Sequence, residues 1–228
     1  MSPRRATRAP GDPIPSDRRP TGAGVFIAFE GGEGAGKSTQ VRGLTEWLTA
    51  AGHVVRATRE PGGTHSGQAI RGIVLDHAHT ALSARAEALL YAADRAQHVH
   101  EVIRPALDAG EIVLTDRFVD SSLAYQGAGR AIPLDDVRML SGWATEGLRP
   151  DLTVLLDLPP EDGLARARGR AAADRLESES LDFHERVRET FLALAEADPD
   201  RYVVLDARRS PDELAAEIRS RVRELLTR

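Results

Sequence analysis

Apolar positions along this chain follow two periods that take turns. Short, nearly continuous apolar runs at residues 25–30 (VFIAFE), 53–58 (HVVRAT), 111–115, 152–158 and 202–205 predict strands. Longer stretches between them repeat apolar residues at helical spacing. These predict helices at residues 37–51, closed by Gly52, at 135–146, after Pro160, near 181–197, and at 211–226, where Leu214, Ile218, Val222 and Leu225 share one face. Residues 82–109 read as mostly helical, with Leu89, Leu90, Ala93 and Ile103 inward and a kink or break at Pro105. Trp47 and Trp143, beside Leu44 and Leu140, read as core, and Tyr202 as structural. Strands alternating with helices predict an α/β fold, a five-stranded parallel sheet with helices on both faces. A ligand then belongs at the carboxyl ends of the strands.

Residues 1–24 break this pattern. Pro3, Pro10, Pro13, Pro15 and Pro20 stand among Arg4, Arg5, Arg8, Arg18 and Arg19 with almost no apolar content. Such a segment cannot offset its ordering entropy and is expected to be a disordered tail, followed by one domain over residues 25–228. A secretory signal needs an apolar centre that is missing, and five prolines oppose the amphipathic helix of a mitochondrial presequence. The 228-residue chain carries a net charge of −5 and no cysteine. That argues against a nonspecific coat for nucleic acid and excludes disulfides and thiolate metal sites. The lack of cysteine fits a reducing cytosol, so a cytoplasmic location is expected, and no apolar run reaches the roughly 20 residues that span a bilayer.

The chemistry begins with the only lysine among 30 basic residues, Lys37. It lies in Gly31-Gly32-Glu33-Gly34-Ala35-Gly36-Lys37-Ser38-Thr39, directly after the first strand. This is the phosphate-binding loop pattern in its strand-to-helix setting. Glycines let backbone N–H groups close on phosphate oxygens, the helix start adds its dipole, and Lys37 adds a compact charge. Ser38 offers a hydroxyl to Mg²⁺. Three strands end in aspartate, but only Asp116 is followed at once by an arginine, Arg117. Asp116 is therefore the candidate metal-linked carboxylate, with Arg117 beside it for a phosphate; the plainer reading is a strand-end ion pair. Asp157, running into Leu158-Pro159-Pro160, reads as structural. Arg166, Arg168, Arg170 and Arg175 form a second cationic group, expected in a mobile flap over residues 163–180 that neutralises a phosphoryl group in transfer. The plainer reading there is a solvated face balanced by Glu177, Glu179 and Asp182. Histidines at 77/79 and 98/100 lack the i, i+4 spacing of helical zinc pairs. One lysine cannot supply the N-K-x-D element of a Ras-type GTPase.

Arg59-Glu60-Pro61-Gly62-Gly63-Thr64, then Leu89-Leu90-Tyr91-Ala92-Ala93-Asp94-Arg95, then Asp116-Arg117 with Ser121-Ser122-Leu123-Ala124-Tyr125-Gln126-Gly127, resemble the motifs of the thymidylate kinase family. With the loop and the flap they keep the family's order and spacing from about residue 25 to the end. The resemblance implies the P-loop nucleoside monophosphate kinase fold with an arginine-rich lid, and MgATP-dependent phosphorylation of dTMP to dTDP by a homodimer. It implies that Arg59 and Arg117 hold the dTMP phosphate, and that Tyr91 stacks on thymine where the family usually has phenylalanine. Arg95 then meets thymine O4, Gln126 contacts the base, and Tyr125 crowds the sugar C2′. Glu33 lies near the 3′-hydroxyl and metal. Gly34, arginine in another subgroup, implies the bacterial subgroup whose catalytic arginine comes from the lid: Arg170, with Arg166 and Arg168 beside it. Rival readings are a kinase for another nucleotide and a noncatalytic P-loop switch.

Overall fold

A computed structural model describes residues 24–168 and 174–227. Five strands, β1 (Val25–Glu30), β2 (Val55–Arg59), β3 (Ile112–Asp116), β4 (Leu152–Asp157) and β5 (Tyr202–Asp206), form one sheet in the order β2-β3-β1-β4-β5. Every pairing is parallel. The helices are α1 (Lys37–Ala50), α2 (His65–Leu75), α3 (Ala84–His98), α4 (Arg104–Asp108), α5 (Val119–Ser122), α6 (Leu134–Thr145), α7 (Pro160–Arg168), α8 (Leu181–Ala197) and α9 (Pro211–Leu226). The expected five-stranded parallel sheet is present.

Strand β1 is an unbroken apolar run because both of its faces are covered. Ile27 and Phe29 pack with Leu44 and Leu48 of α1 and with Leu214, Ile218 and Val222 of α9. Phe26 and Ala28 face the other way, onto Val99, Ile103 and Phe118. A third cluster joins Leu155 and Tyr202 to Phe183, Val187 and Phe191 of α8. Register puts Arg59, Asp116 and Phe29 side by side at the carboxyl ends of β2, β3 and β1.

Four sequence expectations are corrected. The tail does not extend to residue 24, because Gly24 is buried and donates its N–H to the Leu107 carbonyl at 2.9 Å. Strand β2 is Val55–Arg59, so Arg59 ends the strand. Leu89 and Ala93 are exposed; the inward face of α3 instead carries Glu87, Tyr91, Asp94, Arg95 and His98. Trp143 lies outside the core at 80% exposure, whereas Trp47 packs on the core beneath Arg219 and Arg223. The break near Pro105 is a π-helical turn, Val99–Ile103, after which Pro105 occupies the first turn of α4, where its missing N–H costs little. Residues 1–23 of the expected tail, and Arg170 of the lid, lie outside the described residues.

Candidate active site

Strand β1 ends at Glu30 and the chain turns straight into α1. A Cβ on Gly31 (φ 137°) would lie 2.4 Å from the Leu156 carbonyl oxygen, and one on Gly34 (φ 65°) 2.2 Å from that of Gly163. Only glycine fits either place. Helix α1 has no side-chain cap at Gly36, so its first N–H groups remain for an anion. Lys37, only 7% exposed, donates Nζ to the carbonyls of Gly31 (3.0 Å) and Gly32 (2.8 Å). Burial and then Arg117 pull the Lys37 pKa down, while Asp116, Glu33 and Glu30 oppose them. Ser38 donates its hydroxyl to Asp116 Oδ2 at 2.6 Å. A hydroxyl and a carboxylate beside a helix start suit a hard cation with oxygen ligands, and the pair fits Mg²⁺.

Arg117 joins this donor cradle to a second pocket. Its backbone is left-handed (φ 73°), a costly conformation for a side chain this large. The Arg117 N–H to Phe29 O bond (2.9 Å) and the Thr115 hydroxyl on the Arg117 carbonyl (2.9 Å) hold it there. The guanidinium reaches Gly31 O (3.0 Å), Ser121 Oγ (3.1 Å) and Glu33 Oε1 (2.8 Å), and lies over the Tyr125 ring at 4.9 Å. Glu33 also accepts the Tyr125 hydroxyl at 2.8 Å. Burial pushes the Glu33 carboxyl up, but Arg117, Lys37 and the Tyr125 bond outweigh it and hold it down at about 2.

Two cavities meet here. One is lined by Tyr91, Arg95, Tyr125 and Gln126 among others. The other is lined by the Gly34–Thr39 loop with Arg59 and Asp116. Glu33, Arg71 and Arg117 line both. Arg95, 1% exposed, gives Nε to Glu60 (2.7 Å), Nη1 to Ser122 Oγ (3.0 Å) and Nη2 to the Phe118 carbonyl (3.0 Å). Arg166 donates Nη1 to the Ala207 carbonyl, just past β5, at 2.9 Å. The Arg168 side chain and all of Arg170 lie outside the described residues. Asp157 is structural, paired bidentately with Arg188 at 2.7 and 2.8 Å. Arg71 lies on α2, which apolar runs alone do not mark; its sequence signal is Thr64, whose hydroxyl caps Gly67 N–H at 3.0 Å, followed by Ile70, Ile73 and Val74.

Beneath Arg117, Glu30 pins the turn. It accepts the N–H groups of Phe118 (2.8 Å) and Ser121 (3.3 Å) and the Ser121 hydroxyl (2.6 Å). Burial, and then the charge of Asp120, raise its pKa from 4.5 to about 7. A raised folded-state pKa means stability that is full below pH 4.5 and lost as pH climbs through 7. Glu30→Gln has no proton to lose. Its stability relative to the wild type should therefore improve by about 3 kcal/mol between pH 4.5 and 8.5, read from urea unfolding at each pH. A difference that stays flat across that range contradicts the account.

A family model described as Thymidylate kinase matches residues 29–218. The thymidylate kinase of Clavibacter michiganensis subsp. michiganensis is 57% identical over 206 residues, covering 89% of this chain and 96% of that one. The thymidylate kinase of Cutibacterium acnes is 55% identical over 205 residues, covering 90% and 99%. A crystal structure of thymidylate kinase from Ehrlichia chaffeensis superposes with a TM-score of 0.72 at 29% identity, covering 88% of this chain and 99% of that one. A family model over residues 29–218, relatives more than half identical over about nine-tenths of the chain, and a glycine cradle opening onto a second pocket past Arg71 and Arg117 place the chain in the thymidylate kinase family.

Proposed function

We propose that the protein moves the γ-phosphoryl group of ATP onto the phosphate of dTMP, giving dTDP and ADP. One observation carries the reading: the phosphate cradle and the base-sized pocket share a common wall in which Arg71 and Arg117 stand among Glu33, Glu60, Asp174 and Glu177. An oxygen of the dTMP phosphate forms the new bond to Pγ while the bond to the β–γ bridging oxygen breaks. Catalysis is positioning and charge neutralisation, with no covalent enzyme intermediate. Lys37 and the loop N–H groups hold the ATP phosphates, and Arg59 and Arg117 hold the acceptor phosphate in line. Ser38 and Asp116 would hold Mg²⁺, which when bound would supply charge neutralisation on the phosphates. We assign neutralisation of the group in transfer to the lid arginines Arg166, Arg168 and Arg170. Tyr91 stacks on the base, Arg95 and Gln126 read its edge, and Tyr125 excludes a ribose 2′-hydroxyl. Coupled ADP release across dTMP, dUMP, dCMP and AMP tests the reading. A preference for dTMP supports it, and turnover of dTMP no faster than the others overturns it.

The working unit in this reading is a cytoplasmic homodimer. Leu89 on α3 and Met139 and Trp143 on its neighbour α6 are 57%, 72% and 80% exposed, an apolar patch that a second copy would cover. Nucleotide substrates and a cysteine-free chain fit the cytoplasm. No helix among the described residues is long and apolar enough to cross a membrane. Met139→Glu with Trp143→Glu should convert a dimer to a monomer in light scattering. A wild type that is already monomeric contradicts the proposal.

A further inference from the structure

Glu87 is a fully buried carboxylate on α3, one turn before Tyr91, and it lines neither cavity directly. Its oxygens take four donors from three side chains. Oε1 accepts Gln126 Nε2 (2.9 Å) and Arg130 Nε (3.2 Å). Oε2 accepts Arg130 Nη2 (3.2 Å) and Arg175 Nη2. Burial raises the carboxyl's pKa, but the bonds from Gln126, Arg130 and Arg175 together bring it below the ordinary value, so it stays ionised.

An ionised carboxylate only accepts. A carboxamide beside it must turn its NH₂ end toward it, because the opposite orientation would set oxygen against oxygen in a buried place. Gln126 is 1% exposed and lines the base-sized cavity, so its other polar end, Oε1, is the acceptor it offers there. Arg95 is a donor only. The pocket edge therefore pairs one obligate donor with one acceptor whose sense is set from behind.

We propose that Glu87 is a positioning residue for base selectivity: it locks the Gln126 carboxamide with its oxygen toward the acceptor, so that the site takes a pyrimidine with a ring N–H beside a carbonyl. This rests on the reading of the site as a dTMP pocket. Thymine N3–H and O4 meet Gln126 and Arg95 as donor to acceptor and acceptor to donor. Cytosine offers a bare N3 and an amino group, which reverses both pairings. Against Glu87→Gln the neighbour no longer dictates an orientation, and Gln126 can present either end.

The test measures kcat/KM for dTMP and dCMP in the wild type, Glu87→Gln, Glu87→Asp and Arg130→Gln. The expected result is a fall of about 10- to 100-fold in the dTMP:dCMP ratio for Glu87→Gln. A smaller fall is expected for Glu87→Asp, which keeps the charge for both arginines but draws it back from Gln126. Arg130→Gln removes a partner of the same carboxylate without touching the Gln126 bond, and its ratio should match the wild type even where its stability drops. If Glu87→Gln does not fold, an unchanged ratio in Glu87→Asp overturns the role. So does a ratio in Glu87→Gln that stays at the wild-type value, or one in Arg130→Gln that falls as far. A wild type without preference for dTMP overturns the functional reading itself, whereas a selective wild type with insensitive variants overturns only the role of Glu87.

Discussion

Lys37→Ala should lower kcat/KM by at least about a thousandfold, roughly 4 kcal/mol of transition-state stabilisation, while the fold survives. The lysine is held by two loop carbonyls inside a nearly closed cradle, with its ammonium next to the first turn of α1. Burial and the nearby Arg117 both act against its charge in the free protein. Removing it relieves that repulsion, so the variant's melting temperature should equal or exceed the wild type's. A large kinetic loss without a stability loss separates a phosphate-binding charge from a structural one. Lys37→Arg should fare little better, because a guanidinium is longer and planar where the cradle admits a compact head. Retention of a tenth of wild-type activity by either variant would contradict this assignment.

Lys37 was legible because its whole setting is contiguous: strand Val25–Glu30, glycine turn and helix Lys37–Ala50 follow one another without interruption, and each local signal agrees with the next. The sheet was legible for the same reason, since strands buried on both faces leave unbroken apolar runs. Helix α3 shows where that logic fails. Its inward face holds Glu87, Asp94, Arg95 and His98, so apolar periodicity pointed outward, to Leu89 and Ala93. A functional pocket reverses the usual pattern because its polar groups are paid for by one another: Arg95 and His98 share Glu60 at 2.7 and 2.8 Å. Trp143 departs similarly: a tryptophan at helical spacing beside Leu140 reads from sequence as core, yet it is 80% exposed. The π-helical segment Leu123–Gly129 has no signature in apolar spacing, yet it carries Tyr125 and Gln126. The bond between Arg117 and Glu33 joins residues 84 positions apart, and no local pattern could show it. Family resemblance supplied Glu33 as a site residue; the structure adds that Arg117 and Tyr125 clamp it.

That clamp makes Arg117→Lys the second large prediction. Lysine keeps the charge but has no planar fork, and Arg117 divides its donors among Gly31, Ser121 and Glu33 while stacking on Tyr125. An ammonium at the end of a flexible stem can satisfy one of these at a time. The expected fall in kcat/KM for dTMP is about 100- to 1000-fold, or roughly 3 to 4 kcal/mol. It should appear in both kcat and the KM for dTMP, because the same group orders the acceptor in the ground state and aligns it for transfer. The KM for ATP should move by less than about threefold, since Lys37 and the loop amides remain in place. This split distinguishes the two cations: loss at Lys37 falls on the donor and the transfer step, loss at Arg117 on the acceptor. A variant whose KM for dTMP is unchanged would show that Arg117 serves the backbone turn at φ 73° and the Glu33 ion pair, and that Arg59 alone grips the acceptor phosphate.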